Sequence, residues 1–307
     1  MKSLLVALGA ETALWAERLR IALPAHEILT SPPAGRPVAY VAVARPPPGL
    51  IAGLSGLELV LSANAGIEPL LVPGVVPEHT PIVRMVEPGL TEGMVEWVLA
   101  QVLAWHRNVF SYAADQTQRR WIPRAERLAR ERTVTVLGAG ALGGAVAQAL
   151  VTLGFVTRVW SRTGRPAAGA ATFGGVLGFP AALEGADILI NLLPLTPQTE
   201  DLLDEIAFAR LARRALFINA GRGGCVVDED LIAALDSGRL DTAVLDVFRQ
   251  EPLPVDHPFW RHPHVRLSPH VAAPTHARTA VEIMARSVLR WERGEPLDTL
   301  VDRTRGY

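Results

Sequence analysis

Three residues with reactive or charged side chains each follow a short apolar run in the second half of the chain. Arg222 follows LFINAG, Glu251 comes shortly after VLDVF, and His270 ends RLSPH. A guanidinium binds anions through its planar fork, and a carboxylate with an imidazole can form an acid–base pair. Apolar runs of this kind are typical of buried parallel strands, whose carboxyl ends meet at one edge of a sheet. We therefore expect Arg222, Glu251 and His270 to lie near one another at such an edge.

The strands needed to position these side chains form two series along the 307 residues. Helical stretches separate most of the strands, a pattern typical of parallel α/β sheets. The longest helix is expected over 91–118, where apolar residues leave a wide buried face, and the last over 275–293. The first series of predicted strands is 3–9, 38–44, 57–63 and 81–85, and the second is 133–138, 157–161, 186–193, 215–220, 242–248 and 265–270.

A glycine-rich segment, VTVLGAGALGG, opens the second series. It follows an apolar strand and precedes a helical stretch, which is the order that a dinucleotide-binding turn requires. Gly138 permits the tight turn, Gly140 lets the backbone approach a pyrophosphate, and Gly143 allows close packing of helix on strand. The helix that begins with Ala141 and Leu142 offers free N–H groups and the positive end of its dipole. The segment predicts a dinucleotide site, with a ligand-free turn as the alternative.

The end of the next strand indicates which dinucleotide would bind. NAD sites usually carry a carboxylate there, hydrogen-bonded to a ribose hydroxyl. This strand ends instead in Ser161, Arg162 and Thr163. A hydroxyl and a guanidinium suit a phosphate, and the missing acid removes a repulsion. NADP(H) is therefore predicted over NAD(H), unless Arg162 is only a solvated loop residue.

Composition narrows the class of protein further. The formal net charge of −1 and the absence of a basic stripe argue against nucleic-acid binding. No stretch approaches 18 uninterrupted apolar residues, so no membrane span is expected. The single cysteine, Cys225, permits no intrachain disulfide and is read as a packing residue. A cytoplasmic location is expected because such cysteine usage fits a reducing compartment.

These segments, in this order, resemble the D-isomer-specific 2-hydroxyacid dehydrogenase family over nearly the whole chain. WSRT, NLLPLTPQTE, DVFRQEPLP, SPHVAA and the terminal VDRTRGY are similar to its glyoxylate/hydroxypyruvate reductase A branch in particular. The resemblance implies reduction of these 2-oxo acids to glycolate and D-glycerate by hydride transfer from NADPH. Two alternatives remain: a reductase for bulkier or more polar 2-oxo acids, and a non-enzymatic, dinucleotide-sensing protein of the corepressor type.

The resemblance also assigns roles to the three residues at the strand ends. Arg222 would bind the carboxylate of the 2-oxo acid and polarise its keto oxygen. His270 would protonate that oxygen, and Glu251 would orient His270 and favour its protonated form. An acid–base pair argues against a pure sensor, which needs only the glycine turn.

Further positions carry over from the family by matching motifs. Asp246 and the backbone near Ala220 and Ala272 would hold the nicotinamide carboxamide, while Leu193, Pro194 and Thr199 would lie near the adenosine; Asn64, Ala65 and Gly66 would face the substrate carboxylate. The branch often has an aromatic residue where this chain has Arg45. An inward Arg45 would favour a more acidic or polar substrate, whereas an outward Arg45 would be solvated. Asp187 is read as a structural residue, and no metal site is expected.

The fold implied by the resemblance has two doubly wound parallel-sheet domains, with a Rossmann coenzyme domain inserted in a flavodoxin-like substrate domain. The substrate domain would comprise residues 1–90 and 276–307, and the NADP-binding domain 91–275. A homodimer is the expectation from the family, with the helix at 91–118 at the subunit interface.

Overall fold

The computed structural model describes residues 1–304, so the last three residues of the VDRTRGY motif lie outside the described part. The chain divides into two compact units, which are Met1–Leu90 with Pro274–Tyr307, and Thr91–Ala273. The strands are β1 Ser3–Ala7, β2 Glu27–Leu29, β3 Tyr40–Val43, β4 Leu59–Ser62, β5 Ile82–Val83, β6 Thr133–Leu137, β7 Val156–Ser161, β8 Ala171–Gly174, β9 Ile188–Asn191, β10 Ala215–Asn219, β11 Leu240–Leu245 and β12 Val265–Leu267. The α-helices are α1 Thr12–Ala22, α2 Glu68–Leu71, α3 Pro88–His106, α4 Val109–Thr117, α5 Ala141–Thr152, α6 Gly175–Leu183, α7 Glu205–Arg210, α8 Asp228–Asp236 and α9 Ala277–Glu292.

The first unit is built on a parallel sheet with strand order β2-β1-β3-β4-β5. Successive residues of a strand point to opposite faces of the sheet, so one strand contributes side chains to the hydrophobic core on each face. Tyr40 packs with Trp15 of α1 and Met284 of α9 on one face, while Val41 packs with Leu70 of α2 on the other. This strand order is that of flavodoxin-like folds.

The second unit contains a seven-stranded parallel sheet with the order β12-β11-β10-β9-β6-β7-β8. The chain moves outward from β6 to β8, returns to β9, and then moves outward in the other direction. The reversal between β6 and β9 is the switch point at which open α/β sheets bind ligands, beyond the carboxyl ends of the strands. Helix α5 packs on one face through Val146 and Leu150, and Leu231 of α8 packs on the other. The predicted fold class, with a Rossmann unit inserted in a flavodoxin-like unit, is confirmed.

The prediction of a single helix over 91–118 is wrong at its start and in the middle, whereas its end agrees with α4 to within one residue. Helix α3 begins at Pro88, whose fixed φ suits a first helical position. The Glu87 carboxylate also accepts the N–H groups of Gly89 (2.6 Å) and Leu90 (2.8 Å), which caps this end. The helix stops before Asn108, which adopts a left-handed φ of 59° and separates α3 from α4. Within residues 1–304, no helix is long and apolar enough to cross a bilayer.

Two strands were not predicted, and several others are shorter than expected. β2 has three residues and β8 is largely exposed, so neither carries the continuous apolar signal of a buried strand. Both lie at an edge of their sheet, where strands are commonly short. The predicted strand over 186–193 is only Ile188–Asn191, and that over 265–270 is only Val265–Leu267. The residues that follow these strands form the loops that carry the candidate site.

Candidate active site

The glycine turn after β6 has the local geometry that a bound pyrophosphate requires. Gly138 has a φ of 108°, which favours glycine, and its N–H donates to the carbonyl of Trp160 at 2.8 Å. A Cβ on Gly143 would fall 1.9 Å from the carbonyl oxygen of Gly138, so helix and turn pack without room for any side chain. At Gly140, by contrast, a Cβ would meet no atom within 4 Å. Packing against neighbouring residues therefore does not account for glycine here, whereas the close approach of a ligand would.

The beginning of α5 faces the same turn. Gly140 occupies the N-cap position, and no side chain caps the first N–H groups of this 12-residue helix, which starts with Ala141 and Leu142. The first N–H groups of a helix have no partner within the helix, and they attract anions together with the helix dipole. The turn and the helix end therefore fit a dinucleotide pyrophosphate.

The end of β7 presents polar and cationic groups without an acid. Ser161 is the last residue of the strand, and its hydroxyl accepts the N–H of Arg165 at 3.1 Å, which leaves the hydroxyl proton available for another acceptor. Arg162 and Thr163 are exposed in the turn that follows. Arg165, which the sequence analysis did not select, is also exposed and adds a second guanidinium to this turn. Its signal in the sequence is a cation three residues after Arg162.

Glu251 and His270 are in direct contact. Nδ1 of His270 lies 2.7 Å from Oε2 of Glu251, and Oε1 of Glu251 accepts the N–H of Phe248 at 3.1 Å. His270 has a left-handed φ of 56°, and its own N–H donates to the carbonyl of Asp246 at 2.8 Å. The imidazole is 42% exposed, and no residue in 1–304 hydrogen-bonds its Nε2. The pair therefore leaves one imidazole nitrogen to exchange a proton with a bound molecule.

The buried Asp246 carboxylate holds the turn that carries His270. It accepts the hydroxyl of Ser268 at 2.6 Å and the N–H groups of Val271 (2.9 Å) and Ala272 (2.8 Å). The N–H of Ala220 is also used, since it donates to the carbonyl of Asn191 at 3.2 Å. Contact between this group of residues and a nicotinamide carboxamide stays a prediction, and the carbonyl oxygens of Ala220 and Ala272 are the atoms best suited to it.

The Arg222 turn after β10 is packed backbone against backbone on two neighbouring loops. A Cβ on Gly221 would lie 2.7 Å from the carbonyl oxygen of Leu193, and a Cβ on Gly223 would lie 1.9 Å from the carbonyl carbon of Phe248. Only glycine fits at either position. The Arg222 side chain is half-buried, and one guanidinium nitrogen donates to the carbonyl of Gly221 at 2.6 Å. The Arg222 turn therefore packs directly against the loop that carries Glu251, through Gly223 and the backbone of Phe248.

The loop after β9 contains the three residues predicted to lie near an adenosine. Leu193 is buried, and its N–H donates to Oδ1 of Asn191 at 3.2 Å. The Thr199 hydroxyl donates to the carbonyl of Pro194 at 2.7 Å and accepts the N–H of Thr196 at 2.8 Å. Thr199 therefore shapes the loop through bonds within it. Proximity of Leu193, Pro194 and Thr199 to adenosine stays a prediction.

In the first unit, the predicted substrate-binding residues share one sheet edge. Val43 of β3 pairs with Ser62 of β4, and the chain continues from these residues into Arg45 and into 64–66. Arg45 is exposed in the loop that contains three prolines. The N–H of Asn64 donates to the Ser62 hydroxyl at 3.1 Å, whereas the N–H groups of Ala65 and Gly66 have no acceptor among residues 1–304. This loop can therefore offer two N–H groups to an anion.

Asp187 and Cys225, the two other residues considered in the sequence analysis, lie in environments that fit a role in folding. Asp187 accepts the N–H of Thr133 at 2.9 Å and pairs with Arg127 at 2.5 Å, at the amino end of the sheet. Cys225 is fully buried. Throughout the described part of the chain, no three His, Cys, Asp or Glu side chains come together in a group that could hold a metal ion.

Comparison with known proteins identifies the family of this chain. The family model described as "D-isomer specific 2-hydroxyacid dehydrogenase, NAD binding domain" matches residues 99–272. The chain is 38% identical over 299 residues to a glyoxylate/hydroxypyruvate reductase A of Serratia proteamaculans, covering 95% of this chain and 96% of that protein. The chain belongs to the D-isomer-specific 2-hydroxyacid dehydrogenase family.

Solved structures give the same result. A D-isomer-specific 2-hydroxyacid dehydrogenase of Xanthobacter autotrophicus, in complex with NADPH and MES, is 36% identical with a TM-score of 0.94, over 100% of this chain and 99% of that one. An NADPH-dependent glyoxylate/hydroxypyruvate reductase of Sinorhizobium meliloti, in complex with NADP and sulfate, is 34% identical with a TM-score of 0.93, over 100% of both chains. The resemblance to the family and to its glyoxylate/hydroxypyruvate reductase A branch is therefore confirmed.

Proposed function

We propose that the chain is an NADPH-dependent reductase that converts glyoxylate to glycolate and hydroxypyruvate to D-glycerate. The observation that carries this proposal is the 2.7 Å contact between His270 and Glu251, which lies beyond the carboxyl ends of the strands in the sheet that bears the glycine turn. The Serratia and Sinorhizobium relatives, both named as glyoxylate/hydroxypyruvate reductases, support the choice of substrates. A sensor would need the turn but not the acid–base pair.

Three side chains of the second unit perform the reaction in this proposal. The Arg222 fork binds the substrate carboxylate and polarises the keto oxygen. His270 donates its Nε2 proton to that oxygen, while Glu251 holds the Nδ1 proton and so stabilises the imidazolium. NADPH, when bound, supplies the hydride that the carbonyl carbon accepts. One 2-oxo acid, one NADPH and one proton thus give one 2-hydroxy acid and one NADP⁺.

Each unit is assigned its own ligand. We assign the NADP-binding domain to residues 91–275 and the substrate domain to residues 1–90 and 276–307. In the substrate domain, the N–H groups of Ala65 and Gly66, which have no acceptor among residues 1–304, are suited to an anionic group. In the NADP-binding domain, the turn from Gly138 to Gly143 is suited to the pyrophosphate.

Preference for NADPH over NADH is assigned to the end of β7. Replacing Ser161 with aspartate places a carboxylate where the 2′-phosphate of NADPH would bind. With NADH, the same carboxylate would accept a hydrogen bond from the ribose 2′-hydroxyl. Because like charges in contact cost several kcal/mol, we expect the ratio of kcat/KM for NADPH to that for NADH to fall by about 100-fold. Steady-state kinetics with each cofactor measures that ratio. If Ser161→Asp kept the NADPH preference, the phosphate would have to bind elsewhere.

Arg45 supports the alternative of a more polar or acidic substrate. Its exposed guanidinium lies at the same sheet edge as 64–66, where a second anionic group of a substrate could meet it. We expect Arg45→Ala to lower kcat/KM for a four-carbon 2-oxo dicarboxylic acid by about tenfold, because one charge-assisted hydrogen bond is lost. The kcat/KM for glyoxylate should change little. The matched control is Arg36→Ala, which removes another exposed arginine of this unit, paired with Glu27. Equal effects of Arg45→Ala on both substrates would exclude the role in selectivity.

A panel of 2-oxo acids separates the remaining readings of the function. NADPH oxidation should be fastest with glyoxylate and hydroxypyruvate. Faster turnover of larger or dicarboxylic acids would establish the alternative reductase. NADPH binding without oxidation by any member of the panel would leave only a dinucleotide sensor.

We also propose that the chain is a cytoplasmic homodimer. The segment 120–128 between α4 and the following short turn has no helix or strand. In this segment Trp121 is 97% exposed and Ile122 is 48% exposed, beside a surface cavity of about 630 Å³ that Tyr112 also lines. Exposed apolar groups of this size are typical of protein–protein contacts. Sedimentation of the native chain measures the mass directly, and a monomer at all concentrations would contradict the proposal.

A further inference from the structure

We propose that Arg249 is a positioning residue for the reaction, which fixes the loop of Glu251 so that the carboxylate meets His270. The proposal rests on the function proposed above. Arg249 lies two residues before Glu251, and its guanidinium hydrogen-bonds Asp201 and Val226 rather than His270 or Arg222. Its effect on the reaction is therefore indirect.

The Glu251 loop has little structure of its own. Between the end of β11 and the short 3₁₀ turn Pro258–Trp260, the chain contains no helix or strand. Within the loop, Glu251 is held by the N–H of Phe248 at 3.1 Å. Loops are the more mobile parts of a fold. Further contacts must therefore fix the backbone of this loop if the Glu251 carboxylate is to stay within hydrogen-bond distance of the imidazole.

Arg249 connects this loop to two others. Its Nη2 donates to the carboxylate of Asp201, in the loop after β9, and to the carbonyl of Val226 at 2.5 Å, in the turn after β10. The arginine side chain is 41% exposed and the aspartate 52% exposed. An ion pair so exposed adds little to overall stability. Its consequence is geometric, because one guanidinium holds three loops together.

The loop after β9, which Arg249 contacts through Asp201, is also joined directly to the Arg222 turn. The N–H of Asp201 donates to the carbonyl of Gly224 at 3.0 Å, and Leu203 donates to the carbonyl of Cys225 at 2.9 Å. Gly223 packs against the backbone of Phe248 so closely that no Cβ fits. Arg249 therefore fixes Glu251 with respect to the segment that presents Arg222.

A second contact holds the far side of the same loop. Nε2 of His257 lies 3.5 Å from Oδ2 of Asp228, which is two residues after Val226. Burial raises the pKa of the Asp228 carboxyl, and the nearby charges of His257 and Arg249 offset part of that rise. With His257 still in place, loss of Arg249 should leave the loop attached but free to move on the side where Glu251 lies.

The test compares Arg249→Met with Arg210→Met. Arg210 is a matched control, since it is 38% exposed and pairs with Glu184 at 3.5 Å, outside the candidate site. For Arg249→Met we expect kcat with glyoxylate to fall by about tenfold, a part of the 10²–10⁴-fold that a positioned proton donor contributes. KM and the NADPH dissociation constant should change by less than about twofold, because Arg222 and the glycine turn are intact. The control should match the wild type.

Three further variants distinguish positioning from a merely structural role. Arg249→Lys, which keeps a cation with several donors, should restore most of kcat, and Asp201→Asn should lower kcat in the same direction by a smaller factor. Glu251→Gln should lower kcat by a smaller factor in the Arg249→Met background than in the wild type, because both changes disrupt the same contact between Glu251 and His270. Kinetics equal to those of Arg210→Met, or additive effects of the two changes, would overturn the assignment. A wild type that reduces no 2-oxo acid would overturn the proposed function and this assignment with it.

Discussion

Replacement of His270 with alanine should lower kcat for glyoxylate reduction by about 10³-fold, within the range that a general acid contributes. His270 is the only group in the proposed mechanism that can deliver a proton to the keto oxygen. Its imidazole is held by Glu251 at 2.7 Å and leaves Nε2 available. NADPH should bind with an unchanged dissociation constant, because the glycine turn and the end of β7 do not depend on this side chain. Stopped-flow and steady-state kinetics measure the first effect, and cofactor fluorescence measures the second.

A second histidine in the same unit provides the control for this result. Nε2 of His262 lies 3.2 Å from the carboxylate of Asp236, so it too is a histidine–carboxylate pair. It precedes β12, however, whereas His270 follows the carboxyl end of that strand. His262→Ala should leave kcat within about twofold of the wild type, because this side chain, which is only 9% exposed, takes no part in the proposed reaction. Equal losses in the two variants would mean that His270 contributes only to folding.

Replacement of Arg222 with alanine should lower kcat/KM for 2-oxo acids by about 10²–10³-fold, the cost of removing one partner from a hydrogen-bonded charge pair. Most of this loss should appear as a higher KM, since the guanidinium binds the carboxylate in both the ground state and the transition state. Arg222→Lys should recover only part of the loss, because an ammonium group lacks the planar fork. Unchanged kinetics in Arg222→Ala would contradict the assigned role.

Cofactor binding serves as the control for the Arg222 variants. The turn is constrained by Gly221 and Gly223, neither of which accepts a Cβ, so its backbone should keep its course without the arginine side chain. The NADPH dissociation constant should therefore stay near that of the wild type. A loss of NADPH affinity as large as the loss of kcat/KM would show that the turn itself had moved.

The sequence predicted the order of elements and the chemistry at the strand ends because both depend on local patterns. Apolar runs followed by turns placed Arg222, Glu251 and His270 beyond the carboxyl ends of strands, and Glu251 and His270 are in contact in the structure. The glycine turn was likewise predicted from spacing. The structure adds the physical distinction between Gly143, which has no room for a Cβ, and Gly140, which faces open space.

Features that depend on contacts distant in sequence could not be predicted. Arg249 and Asp201 are separated by 48 positions, and nothing in the sequence indicates that they form a pair. The break between α3 and α4 depends on Asn108, whose left-handed conformation is only one of those that an asparagine adopts. The bonds that the Asp246 carboxylate makes to the turn around His270 likewise follow from tertiary structure, since they join residues more than 20 positions apart.

Transfer of label from NADPH to product tests the central claim most directly. NADPH carrying deuterium at the transferable position should be oxidised by glyoxylate in a one-to-one ratio, and the glycolate formed should carry one deuterium at its second carbon. His270→Ala should form the same product far more slowly. NADPH that stays unoxidised while bound, or glycolate that forms without deuterium, would contradict the assignment of this chain as a hydride-transferring 2-oxo acid reductase.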